Sequence, residues 1–183
     1  MTDRTFVSSL RAATLTTLAT LTALTLLGAT AGAQAAPRWT VTVWPAKDGA
    51  PRTTVVHIHS KLPVDGWPGG FVPSLAVKCV DQAPSVFVAT GQAAAPEAGK
   101  EGQFSVFYRL DNKPRTPEVW AQATSSDTLV AADSPTLLHE LLEAKRFRFE
   151  FTPDHSTRTI YDFPVVGLKA ALAKVAGACG SQT

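Results

Sequence analysis

Gln103-Phe104-Ser105-Val106-Phe107-Tyr108-Arg109-Leu110-Asp111 is the stretch around which the chain organises. Phe104, Val106, Tyr108 and Leu110 fall on one side of an extended segment, and Gln103, Ser105, Arg109 and Asp111 on the other. A period of two, broken only by Phe107, is the pattern of a half-buried strand. Asn112-Lys113-Pro114 ends it, because Pro114 has no N–H to give a neighbouring strand.

Towards the C-terminus, short strands are expected around Val119-Trp120-Ala121 and at Thr128-Leu129-Val130. Ser134-Pro135 has the form of an N-cap followed by proline at the first helical position. Leu137, Leu138, Leu141 and Leu142 then make an apolar stripe at helical spacing, with His139, Glu140 and Glu143 away from it, and the helix should stop near Ala144. Arg146 to Phe151 alternates three charges with three phenylalanines, and Arg158 to Phe163 follows after a turn at Pro153 to Thr157. Beyond Pro164 a second helix is expected through Ala178, with Leu168, Leu172, Val175 and Cys179 on one stripe.

Towards the N-terminus, Gln92 to Gly102 is a polar Ala/Gly-rich connection, expected to be the most mobile part of the chain. Ser85 to Thr90 and Ser74 to Val80 read as a hairpin about Asp81 to Pro84, with Leu75, Val77 and Cys79 on one face. The Pro/Gly-rich stretch from Lys61 to Pro73 is a loop that carries Trp67. Trp39 to Trp44 and Thr54 to Ser60 form another hairpin across Asp48-Gly49, with Val56 and Ile58 opposite His57 and His59. The fold class is α+β: a mostly antiparallel sheet or sandwich, with two helices towards the C-terminus.

Arg4 and Arg11, an apolar run from Ala12 to Leu27 and the ending Ala33-Gln34-Ala35 make a secretory signal, with cleavage expected after Ala35. Residues 36–183 then form one globular domain of about 148 residues, periplasmic or secreted. The formal charge falls from +2 to +1 when Asp3, Arg4 and Arg11 leave. With no basic stripe, that balance argues against nucleic acid as a partner. No later segment is long and apolar enough to cross a bilayer. Cys79 and Cys179, a lone pair in an exported chain, are expected to form one disulfide that fastens the last helix to the sheet.

The ingredients of chemistry are sparse. His57 and His59 lie on one strand face, a spacing used by metal sites, but no glutamate follows closely. They are weak metal candidates against the plainer reading of two solvent-facing side chains. No Gly-x-Ser-x-Gly elbow accompanies His139 or His155, and no phosphate loop exists, so no catalytic residue and no cofactor are assigned. Arg109 and Asp111 could receive an anionic or hydrogen-bonding group of a partner, or pair with each other or with a neighbouring strand. Trp44, Trp67 and Trp120 invite a sugar-stacking reading, with Trp67 the best placed, although tryptophans more often anchor cores.

Ser74-Leu75-Ala76-Val77-Lys78-Cys79, Phe107 to Pro114 with Trp120 after it, the 137–144 and 147–151 segments, and Phe163-Pro164-Val165-Val166-Gly167-Leu168 through Cys179 occur here in one order. In these segments the chain resembles the VasI/TagO family, periplasmic accessory proteins of type VI secretion. The resemblance implies a secreted or periplasmic module without an assigned catalytic activity and with a Cys79–Cys179 bond; taken with the rest of the sequence, the expectation is an exported envelope module that binds a protein or cell-wall partner. Tyr108, Arg109 and Asp111 match the family's most recognisable motif. The rival expectations are a small metal-dependent or hydrolytic enzyme built on His57 and His59, and a glycan-binding domain using Trp67.

Overall fold

The computed structural model describes residues 38–61, 70–175, 177 and 179. The expected signal segment and the Trp67 loop tip lie outside them. The strands are β1 (Thr40–Trp44), β2 (Thr53–His59), β3 (Ser74–Val80), β4 (Ala83–Ala89), β5 (Gln103–Leu110), β6 (Thr116–Gln122), β7 (Thr128–Val130), β8 (Arg146–Phe151) and β9 (Thr159–Pro164). Helix α1 (Ser134–Glu143) precedes β8 and α2 (Leu168–Ala173) follows β9. Every pairing is antiparallel, in the order β1-β2-β3-β4-β7-β6-β5-β8-β9. The strands therefore form one continuous sheet rather than two stacked ones.

Turn chemistry sets the hairpins. Asp48 and Gly49 both take positive φ (51° and 82°), and Lys47 and Ala50 exchange backbone hydrogen bonds of 3.2 and 2.8 Å around them. Two left-handed residues match the twist of the flanking strands. Asp81 and Gln82 do the same between β3 and β4 (46° and 70°), so β4 starts at Ala83, two residues earlier than the pattern indicates. Nothing in Asp-Gln advertises such a turn, because glutamine rarely takes that backbone conformation.

The sheet curls strongly. Lys61 N–H, just past β2, donates to the carbonyl of Asp162 in β9 (3.2 Å). Trp39 Nε1–H, ahead of β1, reaches the carbonyl of Val166 beyond β9 (3.1 Å). Inside the curl the inward positions of all the strands but β1 join Leu137, Leu138 and Leu141 of α1 and Leu168 and Ala171 of α2 in one core. Phe147, Phe149, Phe151 and Phe163 are buried, and Trp120 packs on Phe149 with ring centroids 4.9 Å apart. Rings of this size bury 150–250 Å² each, so this cluster is the largest apolar element of the fold.

Three details differ from the sequence reading. Asp133, not Ser134, caps α1: its carboxylate accepts from Thr136 N–H (3.1 Å). Ser134 Oγ is already engaged, accepting from Val86 N–H of β4 (2.9 Å) and donating to Ala131 C=O (3.1 Å). The connection from 92 to 102 is tied down, with Ala95 N–H on Thr152 C=O (2.9 Å) and Asp154 N–H on Ala93 C=O (2.8 Å). Finally, α2 ends at Ala173, and Gly177 at φ 77° cannot continue a helix. The Cys79–Cys179 disulfide is present, but it joins β3 to the segment after α2 rather than to the helix itself. Both cysteines are buried.

Candidate functional site

The outward face of β5, β8 and β9 carries an arginine-rich network built by strand register. Arg109 of β5 stands opposite Arg148 of β8, which stands opposite Asp162 of β9. In the next outward row Phe107 faces Glu150, which faces Ile160. Asp162 takes two arginines as forks: Arg146 through Nε and Nη2 at 2.8 and 2.7 Å, and Arg148 through the same atoms at 3.3 and 3.2 Å. Glu150, itself buried, pairs with Arg115 at 2.8 Å and stands 3.8 Å from Arg158. Arg115 also lies over the Phe107 ring, 3.5 Å from its centroid, a cation–π contact.

Burial pushes the Asp162 carboxyl upward. The hydrogen bonds and charges of Arg146 and Arg148 together outweigh that and hold it below the usual carboxylate range. The network nevertheless sets five arginines, Arg109, Arg115, Arg146, Arg148 and Arg158, against two carboxylates. Arg109 is the arginine left over: among the described residues its guanidinium has neither a hydrogen bond nor an ion pair.

The Tyr108–Asp111 motif is split by the strand. Tyr108 points inward, with its hydroxyl 3.4 Å from Glu140 Oε2 of α1 and its ring 5.9 Å from that of Phe147. Burial first, then the charges of Glu118 and Glu140, push its pKa up to about 12, so it stays a neutral phenol at any ordinary pH. Asp111 sits in a left-handed turn (φ 51°), where its Oδ1 accepts from the N–H groups of Lys145 (3.0 Å) and Arg146 (2.8 Å). Its carboxylate therefore locks the start of β8. Arg109 and Asp111 form no ion pair with each other, and Arg109 alone of the three is presented outward without a partner.

His57 and His59 share the outer face of β2, with ring centroids 5.4 Å apart. Burial, then the neighbouring His59, lowers the His57 pKa. Among the described residues no third His, Cys, Asp or Glu joins them in a group that could hold a metal ion. His139 is exposed on α1, and His155 is exposed in a turn, 3.2 Å from Asp154. Of the tryptophans, Trp120 is fully buried and donates to Glu118 (2.7 Å), whereas Trp44 is 51 % exposed beside a shallow depression lined by Pro45, Pro51, Val55 and Lys78. Trp67 lies outside the described residues.

The partners Arg115, Glu150 and Asp162 escape a sequence reading, because they converge only through the β6-β5-β8-β9 register. The one signal in the sequence is Arg146-Phe147-Arg148-Phe149-Glu150-Phe151, whose charges also suit an ordinary solvated face. Among the described residues no helix is long and apolar enough to cross a membrane. Compared with known proteins, the chain matches no family model, no curated protein and no solved structure.

Proposed function

We propose that this chain is an exported binding module of the cell envelope, of the VasI/TagO-like accessory kind, that docks a protein or cell-wall partner through the outer face of β5, β8 and β9. The observation that carries the reading is the excess of arginine on a rigid sheet face, next to aromatic and aliphatic side chains. Arginine and aromatic residues are the types enriched where proteins meet. A buried disulfide across 100 residues is compatible with an oxidising compartment and favours export. A glycan-binding reading keeps one specific support, the half-exposed Trp44, whose flat indole could stack on a sugar ring.

The test is expression of the full chain with its own N-terminus, followed by fractionation, mass spectrometry and capture from solubilised envelope. The expected result is extracytoplasmic protein lacking about 35 residues, fully disulfide-bonded, with capture lost on Arg109→Glu and retained on Trp44→Ala. Protein confined to the cytoplasm with free thiols overturns the reading. Stoichiometric metal lost on His57→Ala turns it towards the enzyme alternative, and capture lost only on Trp44→Ala turns it towards glycan.

A further inference from the structure

We propose that Arg109 and Arg148 form a receptor for a carboxylate carried on an extended acidic segment of a protein partner. This rests on the binding-module reading above and names what its face takes. Like charges directly opposite one another across a sheet are destabilising, and Arg109 and Arg148 are cross-strand partners. The protein relieves the other arginines internally: Arg146 and Arg148 on Asp162, Arg115 and Arg158 on Glu150. Asp162 lies on the far side of Arg148 from β5 and shares its two oxygens between Arg146 and Arg148, so Arg148 is only partly compensated and Arg109 stands across from it with no anion of its own. A carboxylate seated between the two guanidinium groups replaces this repulsion with charge-assisted, forked hydrogen bonds.

The surroundings favour a protein segment as the source of that carboxylate. Ile160 and Val119 are 46 % and 39 % exposed on the same outer face, and Phe107 lies between their strands. A phosphate polymer held by charge gains nothing from such apolar side chains, whereas a protein segment buries them. Outward side chains along one strand recur about every 6.8 Å, which is also the spacing of alternate side chains on an extended peptide. A segment with a carboxylate over the Arg109/Arg148 row and an apolar residue two positions along therefore suits the step from that row to the Phe107–Ile160 row.

The test uses the full oxidised chain and a fluorescein-labelled peptide with glutamate and then leucine at successive alternate positions and serine between them, read by anisotropy. Its arms are a lysine-for-glutamate peptide, inorganic phosphate, and vesicles containing phosphatidylglycerol. The acidic peptide should bind with an affinity that falls as salt rises. Arg109→Gln should weaken it roughly tenfold, the loss of one charge-assisted pair, and Arg109→Lys should recover part of that. Arg109→Gln should also leave the melting temperature unchanged or raised, which a purely structural arginine would not do. Equal peptide binding by the wild type and Arg109→Gln, or a lowered melting temperature in that variant, overturns the proposal. So does binding of phosphate or vesicles that matches the peptide and is equally lost. Localisation is read separately: a cytoplasmic chain that still binds through Arg109 would fail the proposed function and keep this inference.

Discussion

Replacing both cysteines by alanine (Cys79→Ala with Cys179→Ala) removes a crosslink that spans 100 residues and touches little else. A crosslink of that span restricts the unfolded chain by about 4.7 kcal/mol in the chain-entropy treatment. A domain near 150 residues has a urea slope of about 2 kcal/mol/M, so the midpoint should fall by roughly 2–2.5 M. The melting temperature should fall by roughly 10–20 °C, at 2–4 °C per kcal/mol. The native sheet should survive, because Cys79 keeps its neighbours on β3 and the core is otherwise untouched. The assay is urea unfolding followed by far-UV circular dichroism, oxidised wild type against variant, with the slopes compared. A midpoint shift below about 0.5 M at an unchanged slope would refute the reasoning. It would mean that the segment after α2 frays independently of the rest, so that the bond constrains a tail and not the whole unfolded chain.

Phe149→Ala opens a cavity under Trp120 in the fully buried aromatic cluster and should cost about 3–5 kcal/mol in the same urea assay. Asp162 has a depressed pKa when folded, so it binds fewer protons than in the unfolded chain; its stabilisation is complete above the ordinary carboxylate pKa and is lost as pH falls through the lower folded value. Asp162→Asn should accordingly be less stable than wild type at pH 7, with the gap closing below about pH 4 in pH-dependent melting. Asp133→Ala should cost about 1 kcal/mol as a lost helix cap, whereas Ser134→Ala should cost about 1–3 kcal/mol by leaving the buried Val86 N–H without its acceptor. If the two alanine variants rank the other way in urea, the assignment of cap and strand tie is wrong.

Much of the fold is legible because its strands are half-buried, and a half-buried strand writes its two faces into the sequence. Phe147, Phe149 and Phe151 alternate with Arg146, Arg148 and Glu150, and the sheet places the rings inside and the charges outside. What alternation cannot report is lateral order. The placement of β7 beside β4, with β6 and β5 beyond it, depends on long-range closure rather than on any local pattern. Local rules also misplace elements where a tertiary partner intervenes. Ser134 matches a helix cap by type, yet its hydroxyl goes to Val86, and the cap passes to Asp133. The second helix stops at Ala173, and Gly177 takes a left-handed conformation inside an apolar spacing that would have carried the helix on to Cys179.

The candidate site is less legible for a related physical reason. Tyr108, Arg109 and Asp111 are neighbours in sequence, but a period of two sends Tyr108 to the core and Arg109 to the surface, and a left-handed turn spends Asp111 on the backbone of β8. Sequence proximity therefore overstates their cooperation. The side chains that do share Arg109's surroundings come from 37 to 53 positions further on, at Arg146, Arg148 and Asp162. A charge earns its meaning from what stands opposite it: the same Arg–x–Arg spacing would be a plain solvated edge if Asp162 lay across from Arg109. Because Asp162 lies one strand further out, two cations face each other on a folded sheet. On the reading proposed above, that pair is where an anion from elsewhere would sit, and the melting temperature of Arg109→Gln reads what the pair costs without one.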